Sequence, residues 1–401
     1  MPTPAATPSR RGRWLALTAL LVLAVNLRPT AMAPGPVLLE ISDELRLSGT
    51  LAGLLTSLPA LCFAAFGGLA PWLARAMGPH RSMLAAVAAM VIGQTVRLLA
   101  PNGVVFLSAS VLALAGMAAA NVLLPSLVKT HFPNRVGLVT TLYTTILSAG
   151  VAATAVATAP LAIATGSWRT AMVPWVVLAA VALPPWALML RHDRRVNTSG
   201  PAPIRITMAQ VARTPLAWFM ALFFAFQSMM AYSVFGWIAT IFQHEGYSAT
   251  EAGLFLGLIT GLGIPLTFVL SGYTSRQSSP YAAIAVIAVA GFFGYLGLLL
   301  APTSVPVLWS VLLSIGVAAF PIFITLIGLR ARTPEGTAAL SAFAQCAGYL
   351  MAVPGPLLIG VVFERTGGFT VPVLMMMAMI VPLTIFGLLS CRPRHIEDQL
   401  L

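Results

Sequence analysis

Runs of about 20 apolar residues recur from one end of this chain to the other. Each can cross the ~30 Å hydrocarbon core of a bilayer as an α-helix rising 1.5 Å per residue. In lipid every backbone N–H and C=O must be satisfied within the protein, so only helices and closed barrels span. A barrel needs alternating segments of about ten residues, and these runs are uniformly apolar. With 59% hydrophobic and only 8% charged residues, against about a quarter charged in soluble domains, the chain has too few charges to coat a water-facing surface. The expected fold class is an all-α polytopic membrane protein.

Twelve spans are expected, at about 14–38, 49–74, 81–100, 103–129, 136–164, 169–190, 214–242, 250–272, 280–300, 304–329, 336–363 and 369–390. The longest polar interruption divides them six and six. The expected organisation is a first six-helix bundle over 1–190, a cytoplasmic linker over 191–213 and a second bundle over 214–401. The halves repeat: "SGTLAGL" at 48–54 aligns with "SATEAGL" at 248–254, and "GMAAANVLLP" at 116–125 with "GVAAFPIFIT" at 316–325, both at an offset of 200. A weak repeat of six spans is the mark of a secondary transporter made of two pseudo-symmetric bundles. Seventeen of the lysines and arginines fall on one side of the spans and three, Arg46, Arg169 and Arg365, on the other. The positive-inside rule then places both termini in the cytoplasm. The first apolar run is too long for a signal peptide and lacks a cleavage site of small residues, so it reads as a retained span of a cell (inner) membrane protein.

The net charge of +12 does not indicate nucleic acid, because the basic residues are scattered over short loops. Cys62, Cys346 and Cys391 form no CxxC pair, so neither a disulfide framework nor a metal site is implied. No catalytic residue, metal or other cofactor is expected. Asp43 and Glu44 are adjacent, but no partner cluster accompanies them, so a membrane-embedded enzyme is not the reading.

"AVNLRPTAMAPGP", residues 24–36, is the anomaly in this apolar background. Arg28 lies about 15 residues into span 1, roughly 22 Å along the helix. A charge at that depth costs about 2.5–3.5 kcal/mol on insertion scales. All ten acidic residues lie in loops or at span ends, so the compensating charge is expected from outside, as an anionic solute or bound ion. Arginine keeps its charge at any relevant pH and offers a planar fork to oxyanions or π-systems. Pro29, Pro34 and Pro36 free the carbonyls of Val25, Thr30 and Met32, the acceptors four residues earlier. Irregular backbone at that depth must face protein or water, so the stretch is expected to face inward. Asn26 is a candidate partner for the solute or the guanidinium.

Other polar residues within spans join the candidate solute-binding set. Arg97, about 16 residues into span 3, either snorkels to the interface or draws anions inward. Asn121 and Tyr143 lie toward the cytoplasmic ends of spans 4 and 5. Gln227 and Ser228 fall mid-span 7, Ser228 being the repeat mate of Arg28, with Tyr232 one turn on. Gln345 and Tyr349, at i and i+4, share a face of span 11. Each has an alternative role as interhelical glue. Trp237 and Phe320 are read as cavity walls or packing, Lys129 as an interfacial anchor, and Gly355 and Pro356 as a packing kink.

The six-plus-six pattern resembles the major facilitator superfamily. Four stretches, "NLRP" (26–29), "GLLTSLPALCFAAFGGLAPWLAR" (53–75), "NVLLPSLVKTHFPNRVGLVTTLYTT" (121–145) and "SAFAQCAGYLMAVPGPLLIG" (341–360), are similar to its cyanate and nitroimidazole transporters. The resemblance implies the major facilitator fold, with spans 1, 4, 7 and 10 lining a central cavity, and a rocker-switch importer or exporter of a small solute. "PWLARAMG" departs from the superfamily's loop 2–3 pattern, with Arg75 where an acid is usual. The leading expectation is a monomeric secondary or facilitative transporter of a small anionic or polarisable solute, cyanate-like, nitrate-like or nitroaromatic, working with a coupled proton or an exchanged anion. A multidrug or metabolite exporter of the same fold is the alternative.

Overall fold

The computed structural model describes residues 10–67, 69–132, 135–190 and 207–399. Most of the expected linker at 191–213, Asp193 included, lies outside the described residues, as do the side chains of Arg75 and Lys129. Among the described residues, twelve helices are long and apolar enough to cross a membrane: Trp14–Leu45, Gly49–Gly67, Pro79–Leu99, Gly103–Val128, Leu142–Thr165, Trp168–Met189, Pro215–His244, Ala249–Ser275, Tyr281–Leu300, Pro306–Leu329, Gly336–Thr366 and Thr370–Ser390. They are spans 1 to 12 below. Span 1 runs to Leu45, beyond the expected end near 38, because Leu38–Leu45 resumes as an amphipathic helix that buries Leu38, Ile41 and Leu45.

Proline accounts for the interruptions. Span 1 is helical over Arg10–Met32, breaks, passes through a short 3-10 turn at Gly35–Val37 and resumes at Leu38. Pro34 and Pro36 bring no N–H to the carbonyls of Thr30 and Met32, so the hydrogen-bond ladder stops there. Span 11 breaks between Ala352 and Pro354. There a Cβ on Gly355 would stand 3.1 Å from the sulfur of Met229, so Gly355 serves close packing beside the break.

The chain gathers into two compact units. Unit 1 comprises Met1–Ala31, Phe66–Val151 and Met172–Thr198. Its core includes Leu20, Leu23, Leu27, Met90, Phe106 and Trp186. Unit 2 comprises Met32–Ala65, Ala152–Ala171 and Ser199–Leu401, and so takes in the later part of span 1 and most of span 2 together with spans 7–12.

Within unit 2 the end of the chain is tied back onto the helices. Arg330, 3% exposed, donates to the carbonyls of Ser278 (2.8 Å), Ser390 (2.9 Å) and Cys391 (2.7 Å). Gln399 accepts from the N–H of Leu216 at the start of span 7 (3.2 Å). The Glu397 carboxylate accepts from the backbone N–H of Arg332 (3.0 Å) and Thr333 (2.9 Å) and from the Thr333 hydroxyl (2.8 Å), capping the helix that begins at Pro334. Partial burial pushes the Glu397 pKa up, but these hydrogen bonds outweigh it and hold the group below the usual carboxylate range. The folded state therefore favours the ionised form. Its contribution is complete above the unfolded pKa of about 4.3 and is lost as pH falls through the lower folded value. Scanning calorimetry of Glu397→Gln is expected to show a deficit in Tm against the parent that holds from about pH 8 to 5 and closes toward pH 3. A deficit that persisted in acid would show that the cap does not depend on the charge.

Candidate functional site

The candidate residues fall into one set within each unit. In unit 1, Arg28 lies in the last turn before the break in span 1. Its side chain is half-buried, and among the described residues it has no hydrogen-bond or ion-pair partner. Its neighbours are occupied. Asn26, 1% exposed, donates through Nδ2 to the carbonyls of Val22 (2.6 Å) and Leu178 (2.9 Å). Its Oδ1 is buried with no hydrogen-bond partner among the described residues. The amide thus fastens span 1 to span 6 and leaves free only an acceptor, which has no proton to give an anion.

The freed carbonyls have separate solutions. Pro34 cannot bond the carbonyl of Thr30; Arg97 does so, through NH1 at 2.7 Å from 67 residues away. Nε of Arg97 donates to the Ser110 hydroxyl (2.7 Å), which donates in turn to the carbonyl of Phe106 (2.7 Å). The guanidinium also lies 5.9 Å from the centre of the Phe106 ring, an aromatic–cation contact. Arg97 is 1% exposed, so it does not snorkel. Gln94 donates to the Thr30 hydroxyl (3.3 Å), which donates to the carbonyl of Asn26 (2.9 Å). Pro29 leaves the carbonyl of Val25 unbonded within the helix. Gly150 of span 5 packs against that oxygen, and a Cβ there would stand only 2.5 Å from it. Asn121 and Tyr143 are half-buried in unit 1, and no hydrogen bond joins either to Arg28 among the described residues.

In unit 2, Ser228 donates to Oε1 of Gln227 (3.3 Å), and both are buried. Gln345 donates to the Ser341 hydroxyl one turn earlier (2.7 Å). Tyr349 is the hub of an aromatic group. It stacks on Phe63 of span 2 at 4.9 Å and 13°, meets Phe224 of span 7 edge-on at 4.8 Å, and lies 6.4 Å from Tyr232. Phe320 joins through Phe224 at 6.2 Å. Phe63 and Phe224 are absent from the sequence-derived set. Phe224, Ser228 and Tyr232 are spaced by four, one face of a helix, a signal that points to Phe224. Nothing in the sequence points to Phe63, which meets Tyr349 only through the packing of span 2 on span 11. Trp237 is 2% exposed and donates to Thr56 (3.1 Å) and to the carbonyl of Pro356 (3.2 Å), so it packs rather than walls a cavity.

A family model described as Major Facilitator Superfamily matches residues 19–356. The chain is 32% identical over 396 residues to the 2-nitroimidazole transporter of Escherichia coli (strain K12), covering 97% of this chain and 98% of that one. It is 26% identical over 355 residues to the cyanate transport protein CynX of the same organism, covering 88% and 91%. Among solved structures, a bacterial homolog of the human lysosomal transporter Spinster, in an inward-facing and occupied conformation, superposes with a TM-score of 0.74 at 17% identity, covering 98% and 99%. That likeness speaks for the fold. Twelve apolar helices, this fold and a family match over most of the chain converge: the chain belongs to the major facilitator superfamily and is a transporter, not an enzyme.

Proposed function

We propose that this transporter moves a small anionic or polarisable solute, and that Arg28 is its anchor. The observation that carries the reading is the unpartnered, half-buried Arg28 guanidinium one turn before a break in span 1. Its five N–H donors have no acceptor among the described residues, whereas those of Arg97 and Arg330 have several. A charged group kept partly out of water without a partner is costly, and an oxyanion or the π-face of a nitroaromatic ring relieves that cost. The names of the two relatives, a cyanate and a 2-nitroimidazole transporter, supply the solute classes to try first.

The remaining parts of the reading complete the proposal. The chain acts as a single copy, made of bundles 1–190 and 214–401 joined by the linker 191–213. Both termini are cytoplasmic, since seventeen basic residues lie on their side of the spans and three on the other. Asn121 and Tyr143 on one hand, and Gln227, Ser228, Tyr232, Gln345 and Tyr349 on the other, contribute polar and aromatic contacts, each argued within its own unit. Transport is facilitative, coupled to a proton or by exchange of anions.

The reading is tested by uptake of radiolabelled cyanate and of 2-nitroimidazole into proteoliposomes, with and without an imposed pH gradient. Saturable uptake of at least one solute, lost in Arg28→Ala, is the expected result. Uptake of neither above protein-free liposomes would refute the solute class, and gradient dependence separates proton coupling from exchange.

A further inference from the structure

The Thr30 carbonyl is two residues from Arg28, and it is freed because Pro34 has no N–H to give it. A buried carbonyl left unpaired is strongly unfavourable. Arg97 supplies the missing donor (2.7 Å), held in place by Ser110 (2.7 Å). Gln94 grips the hydroxyl of the same threonine (3.3 Å). Two side chains of span 3 therefore hold one residue of span 1, at the point where that span's own ladder ends. Among the described residues, nothing comparable holds Arg28 itself. Its direction is set by the backbone on which it stands, between Asn26, fastened to Leu178, and Thr30, fastened to Arg97.

We propose that Arg97 is a positioning residue for solute recognition: it substitutes for the helical N–H that Pro34 removes, and so fixes the turn that aims Arg28. This rests on Arg28 being the anchor. It also assigns Arg97 a place behind the solute rather than in contact with it. The planar fork matters, since Nε and NH1 serve Ser110 and Thr30 at once. Lysine offers a compact point charge in place of that planar fork.

The test uses the full-length protein in detergent or nanodiscs, with Arg97→Met, Arg97→Lys, Arg28→Ala, Pro34→Ala and the relevant pairs. The first measurement needs no solute. Amide hydrogen exchange over residues 26–31 is expected to quicken by about tenfold or more in Arg97→Met, with other helices unchanged, because the local turn loses its clamp. Adding Pro34→Ala restores an N–H for Thr30 and is expected to return protection. If Arg97→Met does not fold, Arg97→Lys gives the same local pattern in weaker form. The second measurement is equilibrium binding of cyanate. Arg97→Met is expected to lower affinity about tenfold, the scale of one lost charge-assisted hydrogen bond. In an Arg28→Ala background it should lower it no further, because the two act through one group. Faster exchange throughout unit 1 would make Arg97 a general structural residue and overturn the proposal. Additive losses in the double variant would overturn it equally, since Arg97 would then act independently of Arg28. Normal cyanate affinity in Arg28→Ala would instead sink the anchor reading, while the exchange data still decide whether Arg97 clamps the turn.

Discussion

Arg28→Ala is expected to weaken solute binding without any loss of stability. A hydrogen bond to a charged group contributes about 1.5–3 kcal/mol, so equilibrium binding of cyanate or 2-nitroimidazole should weaken by about 10- to 150-fold. The opposite sign is expected for the unliganded protein. Arg28 is half-buried with no partner among the described residues, and alanine removes the cost of holding that charge partly out of water. The Tm of the unliganded variant should therefore equal or exceed that of the parent, while the rise in Tm on adding solute disappears. Arg28→Lys keeps the charge but not the planar fork, and should bind with intermediate affinity. The two readouts together exclude misfolding as the cause. Near-normal binding in Arg28→Ala would sink the anchor role, and a fall in Tm would show that the guanidinium is held by the fold.

Much of this arrangement was legible in the sequence because it depends on local covalent facts. The interruption of span 1 follows from Pro34 and Pro36, and the same arithmetic identifies Thr30 as the residue whose carbonyl is set free. The identity of the donor was not legible. Arg97 could be placed near one end of span 3, where snorkelling and anion attraction were both open. What decides between them is the packing of span 3 on span 1 across 67 residues, and no periodicity reports that. Asn26 shows the same limit. It stands two residues from Arg28 and so invites a role at the solute, yet its amide is used 152 residues away on Leu178. Tyr349 was found by its polarity within an apolar span. Phe63, the ring stacked on it, is one of 20 phenylalanines and carries no mark of its own. Span 1 reads shorter in the sequence than it is because Glu40, Asp43 and Glu44 dilute its apolar run, although Leu38, Ile41 and Leu45 keep the helical spacing of a buried face.

The second large effect is expected where spans 2 and 11 cross. Gly49 and Gly53, four residues apart, present bare backbone to span 11, the small-xxx-small pattern that lets membrane helices approach closely. A Cβ on Gly53 would stand 2.7 Å from the carbonyl oxygen and 3.0 Å from the Cα of Leu357, and one on Gly360 would stand 2.9 Å from the backbone of Gly53. The obstructing atoms are main chain, so no rotamer change relieves them. Above the crossing, the Glu364 carboxylate accepts from the N–H (2.8 Å) and hydroxyl (2.7 Å) of Thr50, capping the first turn of span 2. Alternating access requires helices on one side of a bilayer to part and close again, and a contact this close closes only if both surfaces stay bare. Gly360→Leu should therefore lower Tm through overpacking, typically costing about 1–3 kcal/mol or more, and reduce uptake far more than it reduces equilibrium binding of the solute. Glu364→Gln separates the two features of the crossing, since it removes the charge from the cap but leaves the glycine surfaces intact. It should slow uptake only modestly, because the Glu364 cap is exposed, where water competes for both Thr50 donors and screens the charge. If Gly360→Leu transports and melts like the parent, spans 2 and 11 do not need to meet during the cycle, and closure on that side must be carried by other contacts of unit 2, such as Gly236 against Thr56 and Gly35 against the Phe235 carbonyl.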